Sequence, residues 1–471
     1  ISVGISGSSD VDLAPVIEDL IRYPYGCTEQ VGSTLQGLLA ALQSPILAGD
    51  RRSEGIRRLA ADGFVTLWQR QLRDGRLPYW SNGEGNDWLT IRTALITVKA
   101  RDLEIPLPAR FDADLVDAVD RMVRKGGLPI QQAAMACRVL ASAQKSDSAL
   151  MERLRIDLEA LRLDERAHLA EAFGLVGDLE SARTIIDTFI PPPPASPLQS
   201  GSFTSDGTQV AIALAAALGN HPESRSIPAL HASLLDLRRK NGWRTTYEDA
   251  AAVDALGAFA LEYPSMGNAA GSVEIAGKTI NHEGPGSTTR TWPLDASTDH
   301  RSTITASGDD PLHVVITTSG HPHADVEPRE DVGIRVERSW LNMDGTSIDA
   351  GSPIEAGEVV VVEIEWKSLL DRDIPNIAIV EVLPGGMEFE LPALITSDAS
   401  RNVMNAVDQA EFRDDRLLVF DTATPKPQKL RFAMRAVVPG TWVVPGTRAE
   451  AMYEDTLHSR SPSTMLEIDL P

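Results

Sequence analysis

The spacing of apolar residues divides the chain into two parts. From about residue 10 to residue 263, apolar stretches of helical period alternate with short polar breaks, as in VIEDLIRY and QQAAMACRVLASA. Ten or more such segments joined by short turns predict helical hairpins stacked into a closed or curved array. The four prolines at 191–194 and the Ser/Gly-rich stretch behind them predict a long loop, after which helical period returns at 208–218 and 246–261.

The rest of the chain has an apolar period of two. In VVVVEIEWKS (359–368) every second residue from Val360 to Trp366 is apolar, and QKLRFAMRAVV (428–438) repeats the alternation. Gly, Pro and Asp turns between such segments are typical of an antiparallel sandwich. HPHADVEPREDVG (321–333) reads as a linker, so boundaries are predicted near 265 and 330.

Composition limits the function classes. The 471 residues carry 44 Lys+Arg against 67 Asp+Glu, a net charge of −23, which argues against nucleic acid or an anionic membrane surface as the main partner. The two cysteines exclude a disulfide framework, and no run approaches the roughly 20 apolar residues of a membrane-spanning helix. Because the chain starts at Ile1 without a signal segment, we expect a soluble piece of a longer protein.

The octet Tyr23-Pro-Tyr-Gly-Cys27-Thr-Glu-Gln30 is the sharpest local feature. Its Pro and Gly end one helix and turn the chain, so Cys27 is predicted at or near the N-cap of the next helix, with Gln30 one turn further on. Residues at positions i and i+3 of a helix are neighbours, so the Cys27 sulfur can reach the carboxamide carbon of Gln30.

A thiol held against a carboxamide can displace ammonia and leave an internal thioester. The helix N-terminus is expected to lower the thiol pKa, and the exposed acyl carbon would then be attacked by an amine or hydroxyl of another molecule. Water would destroy the bond, so Tyr23 and Tyr25 are predicted to help shield it. The alternative is structural: Cys27 as a small buried apolar residue, and Glu29-Gln30 as an ordinary helix cap.

The octet resembles the thioester motif of the alpha-2-macroglobulin and complement family, and of its bacterial members in particular. GRLPYWSNGEGNDWLT (75–90), NGWRTTYEDAAAVDAL (241–256) and several β segments, including FAMRAVVPGTWVVPGTRAEAMYED (432–455), are similar to further blocks of that family in the expected order. The similarity covers nearly the whole chain.

The resemblance implies a multidomain α plus β fold. Residues 1–9 would be a strand of a preceding CUB-like half, 10–265 an α/α toroid thioester domain, 266–330 the rest of the CUB-like domain, and 331–471 a macroglobulin or receptor-binding-like β-sandwich. It also implies a non-enzymatic protease inhibitor in which Cys27 and Gln30 form the thioester. Gly26 and Glu29 occupy motif positions, and Tyr23 matches a tyrosine that shields the bond in bacterial relatives.

One departure from the family bears on the acyl acceptor. Members that prefer hydroxyl acceptors carry a histidine that takes the acyl group from glutamine, whereas no histidine occurs here before His168, and KGGLPIQQ (125–132) has none. Direct aminolysis by lysine amines is therefore predicted, with amines preferred over hydroxyls.

Other candidate sites are weaker. Trp80, Asp87 and Trp88 are candidates for a pocket in the toroid, although an N-cap role explains Asp87 more simply. Cys137 lies on an apolar helix face and is predicted to be core. His321 and His323 form an HxH pair without a third ligand nearby, so neither a metal site nor a cofactor is predicted.

Two other function classes stay open. Helical toroids also serve carbohydrate- and lipid-active enzymes, which would require a catalytic constellation in the toroid cavity. A periplasmic interaction module with an inert motif is the other alternative. The resemblance implies target proteases and upstream macroglobulin domains as partners, and a periplasmic defence role in a lipid-anchored parent. By analogy, it also makes a cell-wall synthase of the penicillin-binding class an associate.

Overall fold

The structure is a computed structural model that describes residues 1–6, 13–22, 26–43, 52–81, 83–193, 203–239, 242–263, 270–284, 287–294, 301–307, 312–318, 320, 328–349, 352–390, 407–454 and 456–470. The chain forms two compact units. One contains residues 1–197 and 202–320, and the other is made chiefly of residues 321–471.

The helical period predicted for the first part of the chain is confirmed. The described residues there form twelve α-helices: α1 (Ala14–Arg22), α2 (Thr28–Gln43), α3 (Arg52–Arg70), α4 (Asp87–Asp102), α5 (Phe111–Lys125), α6 (Ile130–Ser142), α7 (Ser148–Ile156), α8 (Leu163–Leu175), α9 (Leu179–Ile186), α10 (Asp206–Asn220), α11 (Ile227–Asp236) and α12 (Thr246–Glu262). None of these described helices is long and apolar enough to cross a bilayer.

Six of the helices form a closed ring. Helices α2, α4, α6, α8, α10 and α12 each contact the next, and α12 contacts α2 again, while the other helices pack against one or two ring members. The apolar side chains between them form two continuous cores, around Phe64 and Phe111 on one side and around Leu214 and Leu230 on the other. The six ring helices together line one small central cavity.

The described residues of the first unit also form eight short strands: β1 (Ser2–Ser6), β2 (Leu77–Pro78), β3 (Gly85–Asn86), β4 (Ala270–Ile275), β5 (Lys278–Glu283), β6 (Ser287–Thr291), β7 (Ser302–Ser307) and β8 (His313–Thr317). Strand β1 pairs antiparallel with β6 and β8, and β4 with β5 and β7. Val3 and Ile5 of β1 are fully buried beside Val273 and Ile275 of β4. Residues Ser2–Ser6 therefore form a strand that pairs with chain almost 300 residues away, and its assignment to a CUB-like half stays a prediction.

The second unit is built from strands. They are β9 (Glu330–Val332), β10 (Ile334–Leu341), β11 (Ile354–Glu355), β12 (Val359–Ser368), β13 (Ile374–Val382), β14 (Met387–Phe389), β15 (Gln409–Phe412), β16 (Arg416–Ala423), β17 (Gln428–Ala436), β18 (Gly440–Val444), β19 (Arg448–Ala451), β20 (His458–Arg460) and β21 (Thr464–Asp469).

The described strands of this unit form sheets that share one core. The order is β10-β12-β17-β14 in one sheet, β15-β16-β13-β19-β20-β9 in a second and β11-β21-β18 in a third. Val360, Val362, Ile364 and Trp366 of β12 belong to this core together with Ile377 and Val419 of the second sheet. Val361 and Glu363 lie outside it, although they are also buried. The predicted alternation is confirmed for the residues that face the core but not for burial as such, and the packing is that of a sandwich. The boundaries near 265 and 330 stay predictions.

Candidate functional site

Cys27 lies where the sequence predicts, at the start of α2. The helix begins at Thr28, and the N–H of Val31 donates to the Cys27 carbonyl at 3.0 Å, which makes Cys27 the N-cap residue. Gly26 precedes it and is half-buried. Tyr23 and Tyr25, the predicted shielding residues, lie outside the described part of the chain.

Cys27 and Gln30 are joined by two reciprocal hydrogen bonds. The N–H of Gln30 donates to Cys27 Sγ at 3.4 Å, and the N–H of Cys27 donates to Gln30 Oε1 at 3.2 Å. This is the arrangement of a capping box, with cysteine in the place that Ser or Thr usually takes. It holds the sulfur beside the carboxamide group of Gln30.

The first turn of α2 is buried along its whole length. Cys27 and Glu29 have no exposed surface, Thr28 is 1% exposed and Gln30 3% exposed. Burial and the nearby Glu29 carboxylate raise the pKa of the Cys27 thiol to about 12, more than the hydrogen bonds to Cys27 lower it. The predicted lowering of this pKa by the helix N-terminus is therefore wrong, because desolvation outweighs the helix N–H groups.

The motif carboxylate is bound from three sides. Ser33 Oγ donates to Glu29 Oε1 at 2.6 Å, Thr246 Oγ1 donates to Glu29 Oε2 at 3.2 Å, and Arg92 Nη1 lies 3.5 Å from Oε1. Because Thr246 belongs to α12 and Arg92 to α4, these contacts fix the motif turn against both neighbouring ring helices. Glu29 thus has a partner for each oxygen despite its burial.

Arg92 is a site residue that the sequence reasoning missed. Its guanidinium is almost fully buried, lies 4.1 Å from the Tyr247 ring centroid and 5.5 Å from that of Trp88, and donates to Ser33 Oγ and Gln36 Oε1. A signal was present, because Arg92 is the one charged residue between Asp87 and Lys99, among apolar residues and threonines.

Aromatic side chains form a wall beside the thiol. Phe203 stacks on Trp88 with ring centroids 4.6 Å apart and on Tyr79 at 6.0 Å, and Trp80 meets Tyr79 edge-on at 5.4 Å. The Tyr79 carbonyl oxygen accepts from the N–H of Thr28 at 3.1 Å, which ties this wall to the first turn of α2. Trp80 and Trp88, predicted as pocket residues, thus belong to this aromatic wall, whereas Tyr79 and Phe203 were not predicted.

Asp87 is not the N-cap of α4. That position is held by Asn86, whose side-chain oxygen accepts from Leu89 N at 2.9 Å. Asp87 is the first helical residue, and its carboxylate lies 3.3 Å from Arg76 Nη1. The helix dipole favours an acidic residue such as Asp87 in the first turn. The N-cap lies one position earlier, at Asn86.

Charged side chains surround the central cavity of the ring. Lys99 is paired with Asp254, and Arg138 contacts both Glu171 and His168. Burial raises the pKa of Glu171 to about 7 and holds that of His168 well below its ordinary value. The cavity measures about 90 Å³, far below the roughly 300–1,000 Å³ of ligand sites, so it offers little room for a sugar or a lipid.

Two further predictions concern Cys137 and the histidine pair. Cys137 is fully buried in the helical core, as predicted. His321 and His323 lie outside the described residues. Within the described ranges, no three His, Cys, Asp or Glu side chains are grouped so as to hold a metal ion.

Sequence comparisons match bacterial proteins along nearly the whole chain. Residues 333–455 match the family model of the bacterial alpha-2-macroglobulin MG10 domain. Alpha-2-macroglobulin of Escherichia coli is 27% identical over 95% of this chain and 28% of its own length, and that of Xylella fastidiosa 24% identical over 97% and 30%. The chain thus spans about three tenths of the length of these curated relatives.

Solved structures share the fold. A crystal structure of Salmonella alpha-2-macroglobulin reacted with methylamine matches 100% of this chain and 31% of its own, with a TM-score of 0.81 and 24% identity. The native Escherichia coli protein from domain MG7 to the C-terminus matches 99% of this chain and 77% of its own, with a TM-score of 0.79 and 22% identity. The resemblance predicted from the motif is thus confirmed, and the chain is similar over nearly its whole length to bacterial alpha-2-macroglobulins, which are longer proteins.

Proposed function

We propose that this chain carries the covalent-capture module of a protease-trapping inhibitor, in which Cys27 and Gln30 form an internal thioester that acylates lysine amines of a target protease. The observation that carries the proposal is the reciprocal pair of hydrogen bonds between Cys27 and Gln30 at the buried start of α2. Supporting it is the similarity to bacterial alpha-2-macroglobulins over nearly the whole chain.

The contacts describe how the bond would form. Cys27 Sγ attacks the carboxamide carbon of Gln30, and the negative charge that develops on Oε1 is stabilised by the Cys27 N–H already bound to that oxygen. Ammonia leaves, and the thiol proton goes with it. The product is a neutral acyl–sulfur bond in place of a carboxamide and a thiol.

Burial suits a stored thioester better than a free nucleophile. A thiolate in this turn is disfavoured by desolvation and by the Glu29 carboxylate, whereas a thioester carries no charge and costs little to bury. The aromatic wall formed by Tyr79, Trp80, Trp88 and Phe203 would limit access of water to the acyl carbon. The bond would react once an amine reaches it.

In this proposal the domains follow the predicted plan. The ring of helices is the α/α toroid thioester domain at 10–265, the strands at 1–9 and 266–330 belong to a CUB-like domain, and 331–471 form the macroglobulin-like sandwich. The parent protein would act in bacterial defence in the periplasm, held by a lipid anchor, with upstream macroglobulin domains supplying the trigger. A penicillin-binding synthase would be an associate.

The proposal predicts an acyl acceptor class. Among the described groups that act on the Cys27 thiol, none is a histidine, so no imidazole is in place to pass the acyl group to a hydroxyl. Methylamine is therefore expected to react faster than glycerol at equal concentration.

The test is labelling with a biotin-linked primary amine followed by peptide mapping. Label at Gln30 of the unmodified chain, and none in Cys27→Ala, is the expected result. A hydroxyl probe that labels as fast as the amine would contradict the acceptor preference. Label that persists in Cys27→Ala would contradict the thioester itself, and no label in the unmodified chain would favour the inert interaction module.

A further inference from the structure

Arg92 donates to the backbone of the motif turn as well as to its carboxylate. Its Nη1 lies 3.2 Å from the carbonyl oxygen of Glu29, in addition to the ion pair with the Glu29 side chain. That carbonyl and the N–H of Gln30 belong to one peptide group, and this N–H donates to Cys27 Sγ at 3.4 Å. A single peptide group therefore connects a buried guanidinium on α4 to the sulfur atom of the proposed thioester.

The guanidinium is held at several points. Its Nη2 donates to Ser33 Oγ at 2.9 Å and to Gln36 Oε1 at 3.1 Å, and its Cζ lies 4.1 Å from the centroid of the Tyr247 ring. Only 4% of the side chain is exposed. Such a forked contact, removed from water, fixes the position of the charge beside the Glu29 carbonyl.

We propose that Arg92 is a positioning residue of the acyl transfer, which polarises the Glu29–Gln30 peptide so that its N–H stabilises the negative charge on the departing Cys27 sulfur. The inference rests on the thioester function proposed above. A hydrogen bond to the carbonyl end of a peptide makes its N–H a stronger donor, because hydrogen bonds in series polarise one another. Arg92 thus acts on the sulfur without touching it.

The step balances in atoms and protons. When an amine attacks the acyl carbon of Gln30, the C–N bond forms and the C–S bond breaks, and the electron pair of the C–S bond passes to the sulfur. The proton lost by the nitrogen ends on the sulfur, so an amide and a thiol result. Because the negative charge on sulfur exists only during the transfer, a donor that binds the charged sulfur more strongly than the neutral thioester speeds the reaction.

Gly32 gives Arg92 its access to the turn. A Cβ at this position would lie 3.3 Å from Arg92 Nη1, closer than ordinary contacts, so in Gly32→Ala the guanidinium must move by a few tenths of an ångström. Its charge is kept, and alanine favours a helix more than glycine does. The matched control is Gly257→Ala, because Gly257 is also a buried glycine inside a ring helix, and its Cβ would lie at an ordinary 4.0 Å from the Ala40 carbonyl oxygen.

The experiment measures the rate of methylamine incorporation at Gln30, the rate of thioester loss to water and the melting temperature. Rates are normalised to the fraction of chains that have lost ammonia. Since a misplacement of about 1 Å can cost on the order of 10²-fold in rate, a shift of a few tenths predicts methylamine uptake about 3- to 10-fold slower in Gly32→Ala. The melting temperature of Gly32→Ala should stay the same or rise, and Gly257→Ala should keep the unmodified rate. A lower rate in a protein that is at least as stable distinguishes positioning from support of the fold.

Arg92→Lys is a second variant that keeps the positive charge. A lysine ammonium lacks the planar fork that reaches the Glu29 carbonyl, Ser33 and Gln36 together. Methylamine uptake is therefore expected to be about 10-fold slower, less than the roughly 10²- to 10³-fold lost with a donor that touches the developing charge itself. The matched control is Arg138→Lys, because Arg138 pairs with Glu171 at the central cavity of the ring.

Three outcomes would overturn the inference. An unchanged methylamine rate in Gly32→Ala or in Arg92→Lys means that Arg92 only supports the fold. Faster uptake together with faster loss to water means that Arg92 only keeps the site closed. If the unmodified chain itself takes up no methylamine, the proposed function fails, and this inference falls with it.

Discussion

The backbone N–H of Cys27 donates to the side-chain oxygen of Gln30 at 3.2 Å, and the N–H of Gln30 donates back to Cys27 Sγ at 3.4 Å. A helix cap and a thioester need this same geometry, which is why the two readings of the motif could not be separated by spacing. The environment of the turn supports the thioester proposed above. A cap is normally placed at the surface, whereas this one is fully buried among aromatic rings and bound to a buried ion pair.

Gln30→Ala removes the acyl group and leaves Cys27 as a free buried thiol. Because burial and Glu29 raise its pKa from the ordinary 9.0 to about 12, iodoacetamide is expected to alkylate it very slowly in the folded protein at pH 8, and at an ordinary rate in urea. Mass mapping of Cys27 follows the reaction. Rapid alkylation of the folded protein would contradict the buried site.

The same thiol makes stability depend on pH. The unfolded chain loses the thiol proton above about pH 9, whereas the folded chain loses it only near pH 12. The contribution of the Cys27 thiol to the free energy of unfolding is therefore complete below pH 9 and is lost as the pH rises from 9 towards 12. Between pH 9 and pH 12, the free energy of unfolding of Gln30→Ala should therefore fall by more than that of the double variant Cys27→Ala/Gln30→Ala. Urea unfolding of both proteins measures the difference. Equal losses would show that Cys27 has an ordinary pKa in the folded state.

The pair formed by Glu29 and Arg92 is expected to be sensitive to removal of either partner. Both side chains are buried, so Glu29→Ala or Arg92→Met leaves an uncompensated buried charge and should each lower the free energy of unfolding by about 3–5 kcal/mol. The double variant should cost clearly less than the sum of the two, which a double-mutant cycle in urea measures. Additive costs would mean that the two groups do not interact.

Asn86 and Asp87 give a test of how α4 begins. Asn86→Ala removes the side-chain cap on Leu89 N and should cost about 0.5–2 kcal/mol. Asp87→Ala removes a half-exposed pair with Arg76 and should cost at most about 1 kcal/mol. Thermal unfolding of both variants compares them, and a larger loss for Asp87→Ala would place the cap where the sequence first suggested.

A buried ion pair inside the sandwich supplies a parallel test in the second unit. Arg338 Nη1 lies 2.7 Å from Glu381 Oε1, with side chains 4% and 0% exposed, so Arg338→Met should cost about 3–5 kcal/mol. The matched control is Arg372→Met, whose partner Glu454 is partly exposed and whose loss should cost at most about 1 kcal/mol. Similar costs in chemical denaturation would contradict this difference.

What the sequence predicted was local. Cys27, Gln30 and the start of α2 follow from a turn and an i, i+3 spacing, and the alternation from Val360 to Trp366 follows from the pleat of one strand. These features depend on neighbours along the chain, so their pattern is visible in the residues themselves.

What it missed was long-range. Tyr79 binds the first turn of α2 from a chain segment 52 residues after Cys27, and Phe203 stacks on it from 176 residues after Cys27. Arg92 reaches Glu29 from another helix. The direction of the Cys27 pKa shift was predicted wrongly for the same reason. The helix N-terminus is visible in the sequence, whereas the burial that outweighs it depends on the assembled ring.

The most direct test of the central claim is the intact mass of the freshly purified chain, followed by peptide mapping across Cys27 and Gln30. A mass lower than the sequence by one ammonia, which methylamine converts to methylamide at position 30 with release of the Cys27 thiol, is the predicted result. The full sequence mass, with unmodified Gln30 beside a free thiol before and after methylamine, would contradict a thioester between these two residues.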